Sequence, residues 1–407
     1  MSLDGRTKRS PLSGRYLVRN RGWNAALHVT DAVLSLVAQA KRAVATDAPA
    51  RILVAVGGHL GDAVIATSAL PVLARAYPNA SIGMLLPSWS RVVVEGHPRL
   101  RWIHHADHWK TSRAGDGVAE KWAAYRSSAL RAVDEISGVG YDLAIDLYAY
   151  YPNAAWLLWR AGVPIRIGYT SGGCGPLYTH ALSWNPDTGH TAAQHARLIG
   201  ALTETDVVGE LAYDLPPIPE RARLRAATLC RSDRHSDYIV IHPGTGDPKK
   251  AWPAGQWNEL ISSLGASKTI VLTGAGKLEH DLAATLARGR SNVVNLVDQL
   301  DWPTFRAVLA SASVAIGPDS VAMHAAAAEG TPAVAIMAAM SDPEYWRPLG
   351  RRVAALTRQV PCAPCFQKNG CETMACVRDV TVDDVLDACE RLGALDRPPA
   401  ALQMPVV

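Results

Sequence analysis

Residues 51–62 (RILVAVGGHLGD) contain the pattern that decides the fold class. The run Ile52–Val56 is short, wholly apolar and followed by two glycines, which is typical of a buried parallel β-strand. An alanine-rich stretch runs from Ala63 to Tyr77 and stops at Pro78, which predicts a helix. A strand, a glycine-containing turn and a helix in this order indicate the first unit of a doubly wound α/β domain.

The same alternation continues along the chain with one interruption. A polar, proline-containing stretch at Asp214–Glu220 marks a linker, and the alternation restarts at Tyr238. Short apolar runs predict the remaining strands: Ser81–Leu86, Arg101–His104, Leu143–Leu147 and Ile165–Tyr169, then Tyr238–His242, Thr269–Thr273, Val293–Leu296, Val314–Ile316 and Ala333–Ile336. We therefore expect two Rossmann-like doubly wound domains facing each other across a cleft at the carboxyl ends of their sheets.

This pattern divides the chain into four parts. They are an extension with a basic amphipathic helix (residues 1–48), a first Rossmann-like domain (49–218), a second one that includes a cysteine cluster (219–390), and a tail (391–407).

The composition excludes several classes of protein. The chain has 407 residues, of which 48% are hydrophobic, and 41 Lys+Arg against 37 Asp+Glu give a net charge of 41 − 37 = +4. Such a chain is neither disordered nor collagen-like, and its weak charge gives no reason to expect a nucleic-acid partner. The seven cysteines do not form a disulfide framework, and neither a signal peptide nor a membrane-spanning run is evident, so we expect a cytoplasmic protein.

The glycine-rich turn after the first strand is the first candidate site. Gly58, His59 and Gly61 form a loop in which the backbone can approach a ligand closely. Asp62 has two interpretations: a helix-terminal Asp stabilised by the helix dipole, or a carboxylate at the cleft floor that acts as a general base. The loop does not match G-x-G-x-x-G, which disfavours a dinucleotide-binding dehydrogenase.

A second candidate lies in residues 242–253 (HPGTGDPKKAWP), between a predicted strand and a helix predicted over Ala254–Leu264, with Pro253 near its first position. Thr245, Gly246 and Lys250 offer a hydroxyl group, a backbone N–H and a cation, which suit a diphosphate. The alternative is a solvated basic loop.

A third candidate lies in residues 317–324 (GPDSVAMH). Asp319 and Ser320 are predicted to cap the helix that begins at Val321, and the same helix N-terminus can face a phosphate. His324 lies one turn inside this helix, either as part of the site or as a satisfied core histidine.

Four cysteines near the C-terminus follow the spacing C-x2-C-x5-C-x4-C: Cys362, Cys365, Cys371 and Cys376. The first pair has the spacing of zinc ligands and the second pair does not repeat it, so packed structural thiols and a structural zinc site both remain open. Four thiolates would close the zinc site, so it would not be catalytic.

The N-terminal extension also has two interpretations. Residues 23–43 are predicted to be helical, and this helix either packs on the domain surface or forms, within residues 15–43, a basic amphipathic segment that contacts an anionic membrane.

Together these motifs resemble glycosyltransferase family 9, the heptosyltransferases of lipopolysaccharide core assembly. The resemblance runs from about Arg51 to about Ala388. It is carried by RILVAVGGHLGDAVIATSALPVLARAYPNASI, IHPGTGDPKKAWPAGQW, VAIGPDSVAMHAAAAEGTPAVAI and the late PCAPC segment. It implies a GT-B architecture with the acceptor in the first domain and the donor in the second. It also implies an inverting transfer that needs no metal or other cofactor.

The resemblance also implies residue roles. By motif position, Asp62 resembles the catalytic base, beside the acceptor-side loop of Gly58, His59 and Gly61. Lys250 resembles a catalytic ligand of the donor phosphates. Other donor-binding roles are implied for residues of the second domain: Thr245, Gly246, Glu279 (on the ribose), Asp319, Ser320 and His324. The chain departs from the family at Val321, where glycine is usual.

The implied donor is ADP-heptose or a similar nucleotide sugar. The implied acceptor is a lipopolysaccharide-core-like glycan, whether free or lipid-linked. Alternatives are a family member that glycosylates a soluble small molecule such as a natural product, an epimerase or hydrolase of the same architecture, and a non-catalytic nucleotide-sugar-binding protein.

Overall fold

The chain divides into two compact units in the computed structural model, Met1–Pro217 and Ile218–Val407. The structure describes residues 15–18, 20–38, 48–112, 117–203, 211–230, 238–340, 342–365 and 371–395. Most of the predicted tail, and residues 39–43 of the predicted N-terminal helix, lie outside the described residues. The boundary between the units falls inside the proline-containing stretch 214–220.

The first unit is built on a parallel sheet with the order β3-β2-β1-β4-β5-β6. Its strands are β1 (Arg51–Ala55), β2 (Ser81–Leu86), β3 (Leu100–His105), β4 (Leu143–Asp146), β5 (Ile165–Tyr169) and β6 (His180–Leu182). Its helices are α1 (Arg21–Ala38), α2 (Leu60–Thr67), α3 (Ala69–Ala76), α4 (Arg91–Val94), α5 (Val118–Val139), α6 (Ala155–Arg160) and α7 (Thr191–Thr203). This order is that of a doubly wound Rossmann sheet.

The single helix predicted over 63–77 is two helices, α2 and α3, which meet at Ser68. The Thr67 hydroxyl donates to Val64 O and the Ser68 hydroxyl donates to Ile65 O, both at 2.6 Å. Such side-chain bonds to the preceding turn compete with the helical backbone pattern, which explains a break that the apolar periodicity does not show.

The second unit repeats the arrangement with the order β12-β11-β10-β7-β8-β9. Its strands are β7 (Tyr238–Ile241), β8 (Thr269–Leu272), β9 (Val293–Asn295), β10 (Val314–Pro318), β11 (Ala333–Ile336) and β12 (Val353–Leu356). Its helices are α8 (Glu220–Cys230), α9 (Ala254–Ser263), α10 (Lys277–Ala287), α11 (Trp302–Ala310), α12 (Val321–Ala328), α13 (Pro343–Trp346), α14 (Ala375–Arg378) and α15 (Val382–Arg391).

Apolar side chains on both faces of each sheet explain the near-continuous hydrophobic strands. β7, β8, β10 and β11 are buried almost throughout, and separate core clusters pack against the two faces of their sheet. On one face Trp252 and Trp257 meet edge to face at 4.7 Å, and Trp252 Nε1–H donates to Val380 O at 2.8 Å. This contact fixes the start of α9 against the C-terminal segment. No helix among the described residues is both long enough and apolar enough to cross a membrane.

Candidate active site

In each unit the strand order reverses between two neighbouring strands, and the candidate residues other than Glu279 and the cysteines follow one of these strands. In the first unit these are β1 and β4, and in the second they are β7 and β10. At such a point neighbouring loops leave the carboxyl edge in opposite directions, which opens the crevice where doubly wound domains bind ligands. The sheet topology thus singles out the loops after these four strands.

The loop after β1 holds Asp62 against its own backbone. His59 lies at the N-cap of α2, and its backbone N–H donates to Asp62 Oδ2 at 2.7 Å. Gly58 has a φ of +85°, and a Cβ there would displace the Asp62 carboxyl group. Trp89 Nε1–H donates to Gly58 O at 3.2 Å. Asp62 therefore has the helix-terminal role and also places a carboxyl group at the carboxyl edge of the sheet.

The loop after β4 brings Tyr148 beside this carboxyl group. A Cβ on Gly57 would lie 2.9 Å from Tyr148 Cδ1, so the ring packs directly on the glycine loop. Burial, followed by the negative charge of Asp62, raises the pKa of Tyr148 well above its ordinary value. The phenol consequently remains protonated next to Asp62.

A buried carboxyl group shapes the Tyr148 loop. Asp146, at the end of β4, accepts hydrogen bonds from Tyr148 N at 3.1 Å, Ala154 N at 2.6 Å and Tyr178 OH at 2.8 Å. Its side chain is fully buried, and burial raises the pKa of Asp146 to about 6. Asp146 thus ties together the two ends of the loop that carries Tyr148.

Aromatic side chains continue along this edge of the first unit. A cavity of about 40 Å³ lies beside Gly57 and Gly58 and is lined in part by His108, Tyr125 and Asn153. His108 packs on Tyr125 with ring centroids 4.5 Å apart. Burial, and then the charge of Lys110, lowers the pKa of His108 to about 4, so this ring is neutral near pH 7. The edge next to Asp62 is therefore largely apolar and aromatic, with few polar groups.

In the second unit, Lys250 and Asp319 meet between the loops that follow β7 and β10. Lys250 Nζ lies 2.6 Å from Asp319 Oδ2, and the two side chains are 30% and 19% exposed. The strands that carry these loops are hydrogen-bonded neighbours, with Ile241 opposite Ile316. The structure therefore brings two of the predicted site residues into direct contact, although they are far apart in sequence. Thr245 lies in the same loop as Lys250 and accepts from Asp247 N at 3.4 Å.

The start of α12 differs from the prediction that Asp319 and Ser320 would cap it with their side chains. Ser320 occupies the N-cap position, but its hydroxyl group makes no cap hydrogen bond, and its Oγ is buried without a hydrogen-bond partner among the described residues. The Ser320 carbonyl instead accepts from Met323 N at 3.2 Å. His324 is 4% exposed, so it is a buried residue of this helix. Pro253 occupies the N-cap position of α9, next to the first helical position, as the sequence predicts.

Glu279 reaches the same edge of the second sheet from α10. Its Oε2 accepts from Ala275 N at 2.8 Å, and its carboxyl group leaves no room for a side chain at Gly244 or Gly274. Burial, followed by the charge of Asp298, raises the pKa of Glu279. The carboxyl group therefore touches the loop that leads to Thr245 and Lys250.

The structure describes all four cysteines of the late cluster, Cys362, Cys365, Cys371 and Cys376. These four residues are free thiols, and the described part of the chain has no group of three or more His, Cys, Asp or Glu side chains that could hold a metal ion. Cys371 Sγ instead accepts from Met374 N at 3.3 Å, which is a local turn contact. The thiol donor set suits zinc, and packed thiols and a structural zinc site both stay predictions.

The sequence analysis missed Tyr148, Trp89 and Asp146. The aromatic run Tyr148–Tyr151 directly after a predicted strand was the available signal. It could have been used only with the strand order, which places β4 beside β1.

Comparisons with known proteins identify the family and the fold of the chain. Residues 129–375 match the model of glycosyltransferase family 9 (heptosyltransferase). Lipopolysaccharide heptosyltransferase 1 of Pseudomonas aeruginosa is 26% identical over 336 residues, 78% of this chain and 87% of that protein. A family 9 glycosyltransferase structure from Veillonella parvula has a TM-score of 0.70 at 21% identity, covering 86% of this chain and 99% of the other. An E. coli heptosyltransferase structure with ADP-2-deoxy-2-fluoro heptose has a TM-score of 0.63 at 17% identity, with coverage of 84% and 99%. The predicted GT-B fold of two Rossmann-like domains is confirmed.

Proposed function

Because this chain belongs to glycosyltransferase family 9, the heptosyltransferase family, we propose that it moves a heptose or related sugar from an ADP-linked donor to a hydroxyl group of a lipopolysaccharide-core-like glycan. The donor assignment is supported by the E. coli structure that contains an ADP-heptose analogue. The acceptor assignment is supported by the name of the P. aeruginosa relative. The reaction proposed is a single displacement that inverts the anomeric centre.

The observation that carries the proposal is the contact between Lys250 and Asp319 at the switch point of the second sheet. A cation, the hydroxyl groups of Thr245 and Ser320, and the N-terminus of α12 all belong to the same two loops. Together these groups suit a diphosphate, since each one donates hydrogen bonds or positive charge. We infer that Lys250 pairs with the diphosphate instead of Asp319 when the donor binds. The Asp319 carboxylate then accepts hydrogen bonds from hydroxyl groups of the donor sugar.

The chemical step begins at Asp62. Its carboxylate accepts the proton of the acceptor hydroxyl group, while that oxygen forms a bond to the anomeric carbon of the donor. The bond between the anomeric carbon and the β-phosphate oxygen breaks, and its electron pair leaves with the nucleoside diphosphate. Lys250 and the N–H groups at the start of α12 stabilise the charge that develops on the leaving diphosphate, so the proposed step uses no metal ion.

We assign the acceptor to the aromatic edge of the first unit. The Tyr148 ring and the cavity beside Gly57 and Gly58 lie next to Asp62. A sugar ring is apolar on its faces and polar at its rim. Aromatic side chains pack against such faces, and a few polar groups nearby can orient the ring.

The test is a transfer assay with the purified full chain, ADP-heptose and a heptose-free lipopolysaccharide core oligosaccharide. We expect ADP release that depends on the acceptor, and a product whose anomeric configuration by NMR is opposite to that of the donor. Conversion of the donor without any acceptor would instead indicate a hydrolase, if ADP is released, or an epimerase, if an epimeric ADP-sugar forms. Retained configuration would contradict the single displacement.

A thermal-shift series with ADP-, GDP-, UDP- and CDP-sugars tests the donor separately. A ligand that binds only the native state raises the melting temperature, and we expect the largest rise with the ADP-sugar. A rise with no transfer to any glycan or soluble small-molecule acceptor would indicate a non-catalytic nucleotide-sugar-binding protein.

A further inference from the structure

The N-terminal helix α1 is attached to the first unit by one face. Leu27 is 5% exposed on this face, and the helix packs against the segment 175–177. Asp31 is 2% exposed, and its Oδ2 accepts from Tyr16 OH at 2.8 Å and from Arg15 at 3.2 Å. The acidic residue that interrupts the apolar pattern of this helix in the sequence therefore points inward and is paired there.

The opposite face of α1 is apolar and exposed. At about 100° per residue, seven apolar residues fall within a sector of roughly 120°, without a polar residue among them. All seven are exposed: Gly22, Ala25, Ala26, Val29, Ala32, Val33 and Leu36. The largest of them, Val29, Val33 and Leu36, are 66%, 56% and 79% exposed. We call these seven residues the outer face of α1.

The charge near this helix favours one occupant. Residues 1–21 contain six basic residues and one acidic residue, Asp4. In a dimer through α1 both chains would carry this excess of basic residues next to the helix in sequence, so like charges would oppose a second copy. An anionic bilayer offers both complements, because its headgroups attract the basic segment while its acyl boundary accepts the apolar face.

We propose that the outer face of α1 binds an anionic lipid bilayer, with the helix lying in the plane of the membrane interface. The family model begins only at residue 129, so α1 lies outside the matched region. The proposed membrane binding does not depend on the proposed transfer reaction.

One consequence of this binding, the location of the acceptor, rests on the proposed function. α1 lies beside the aromatic edge of the first unit, to which we assign the acceptor, since the rings of Trp23 and Tyr151 have centroids 5.7 Å apart. Just before the helix, Leu17 N donates to Ser171 O at 2.9 Å. Lys110 Nζ lies over both rings, at 5.3 Å from the Trp23 centroid and 4.6 Å from that of Tyr151. A bilayer bound to α1 would hold a lipid-linked acceptor close to this edge, so the expected acceptor is membrane-borne.

Co-sedimentation of the full chain with vesicles tests the proposal. The vesicles contain phosphatidylcholine alone or an equimolar mixture of phosphatidylcholine and phosphatidylglycerol. The test variant is Val33→Glu with Leu36→Glu. Its matched control is Val118→Glu with Leu224→Glu, because these residues are 68% and 63% exposed on other helices. We expect wild type and control to bind the anionic vesicles, and the α1 variant to bind them at least about tenfold more weakly.

Equal binding of wild type to both vesicle types, or equal anionic-vesicle binding by the two double variants, would overturn the proposal. The proposal would also be overturned if wild type formed a dimer that the α1 variant loses and did not bind vesicles, because the outer face of α1 would then bind a second copy of the chain. Transfer to a soluble acceptor is measured in parallel, and we expect both variants to keep it. Failure of transfer in wild type would count against the proposed function alone.

Discussion

Replacement of Lys250 by Met should slow transfer by about two orders of magnitude. The Lys250–Asp319 pair has an N–O distance of 2.6 Å and is partly exposed, so its gross Coulomb energy at an effective dielectric constant of 20, before desolvation is subtracted, is about 6 kcal/mol. A diphosphate oxygen at a similar distance would gain a similar energy. If about half a unit charge develops on the leaving group in the transition state, Lys250 supplies about 3 kcal/mol there, or about 10²-fold in rate.

The assay is initial-rate kinetics with varied ADP-heptose and a saturating acceptor. Lys249→Met is the matched control, because it removes the neighbouring cation of the same loop, whose side chain is not assigned to the donor. We expect kcat to fall in Lys250→Met and to be nearly unchanged in Lys249→Met. The melting temperature should change little, since a partly exposed ion pair contributes only about 0–1 kcal/mol. A folded Lys250→Met enzyme with kcat equal to that of Lys249→Met would refute the leaving-group role.

Three further variants test the site and its surroundings. Gly58→Ala should destabilise the protein by roughly 1 kcal/mol more than Gly96→Ala and should slow transfer. Both glycines have positive φ, but a Cβ at Gly58 would meet the Asp62 carboxyl group, whereas a Cβ at Gly96 meets nothing within 4 Å. Equal effects of the two variants in melting and transfer assays would contradict this. Ser320→Ala should weaken donor binding by about tenfold in calorimetry with little loss of stability, whereas Thr331→Ala, which removes a buried hydrogen bond to Leu309 O, should do the reverse. Burial lowers the pKa of His195 to about 3, so protonation opposes folding and stability falls as the pH drops below 6.5, by up to about 1.4 kcal/mol per pH unit. The urea midpoint of His195→Met should therefore fall less than that of wild type between about pH 7 and 5, and equal falls would contradict the assignment.

The strands of both sheets were predictable because each is a short apolar run buried on both faces. The central strands β1, β7 and β11 match their predicted ranges to within a residue at either end. The strands β6 and β12 were missed. β6 has only three residues, and both strands lie at sheet edges, where one side lacks a neighbour and burial is incomplete.

The candidate site was predictable only where its residues adjoin a glycine loop. Asp62, Thr245 and Lys250 each follow a strand within a dozen residues, so local pattern alone identifies them. Tyr148 could not be found this way, because its contact with Gly57 depends on β4 lying next to β1. Strand order is a property of the folded sheet, which local periodicity does not encode.

The N-terminal helix shows the same limit. Asp31 looks in the sequence like a residue that weakens an amphipathic face. In the structure it is buried against Tyr16, so the apolar outer face of α1 is uninterrupted. Asp31 points inward because Tyr16 is its hydrogen-bond partner, and the sequence alone did not identify that partner.

The central claim is that Asp62 is the general base for transfer, and single-turnover kinetics of Asp62→Asn test it most directly. The amide keeps an oxygen that can accept from His59 N, so the helix terminus is preserved. Asp301→Asn is the matched control, because Asp301 is a carboxylate at the N-cap of α11 that accepts from Thr304 N at 2.9 Å. We predict that Asp62→Asn binds ADP-heptose normally and transfers at least about 10²-fold more slowly than Asp301→Asn. Transfer by Asp62→Asn at the rate of the control would contradict the claim.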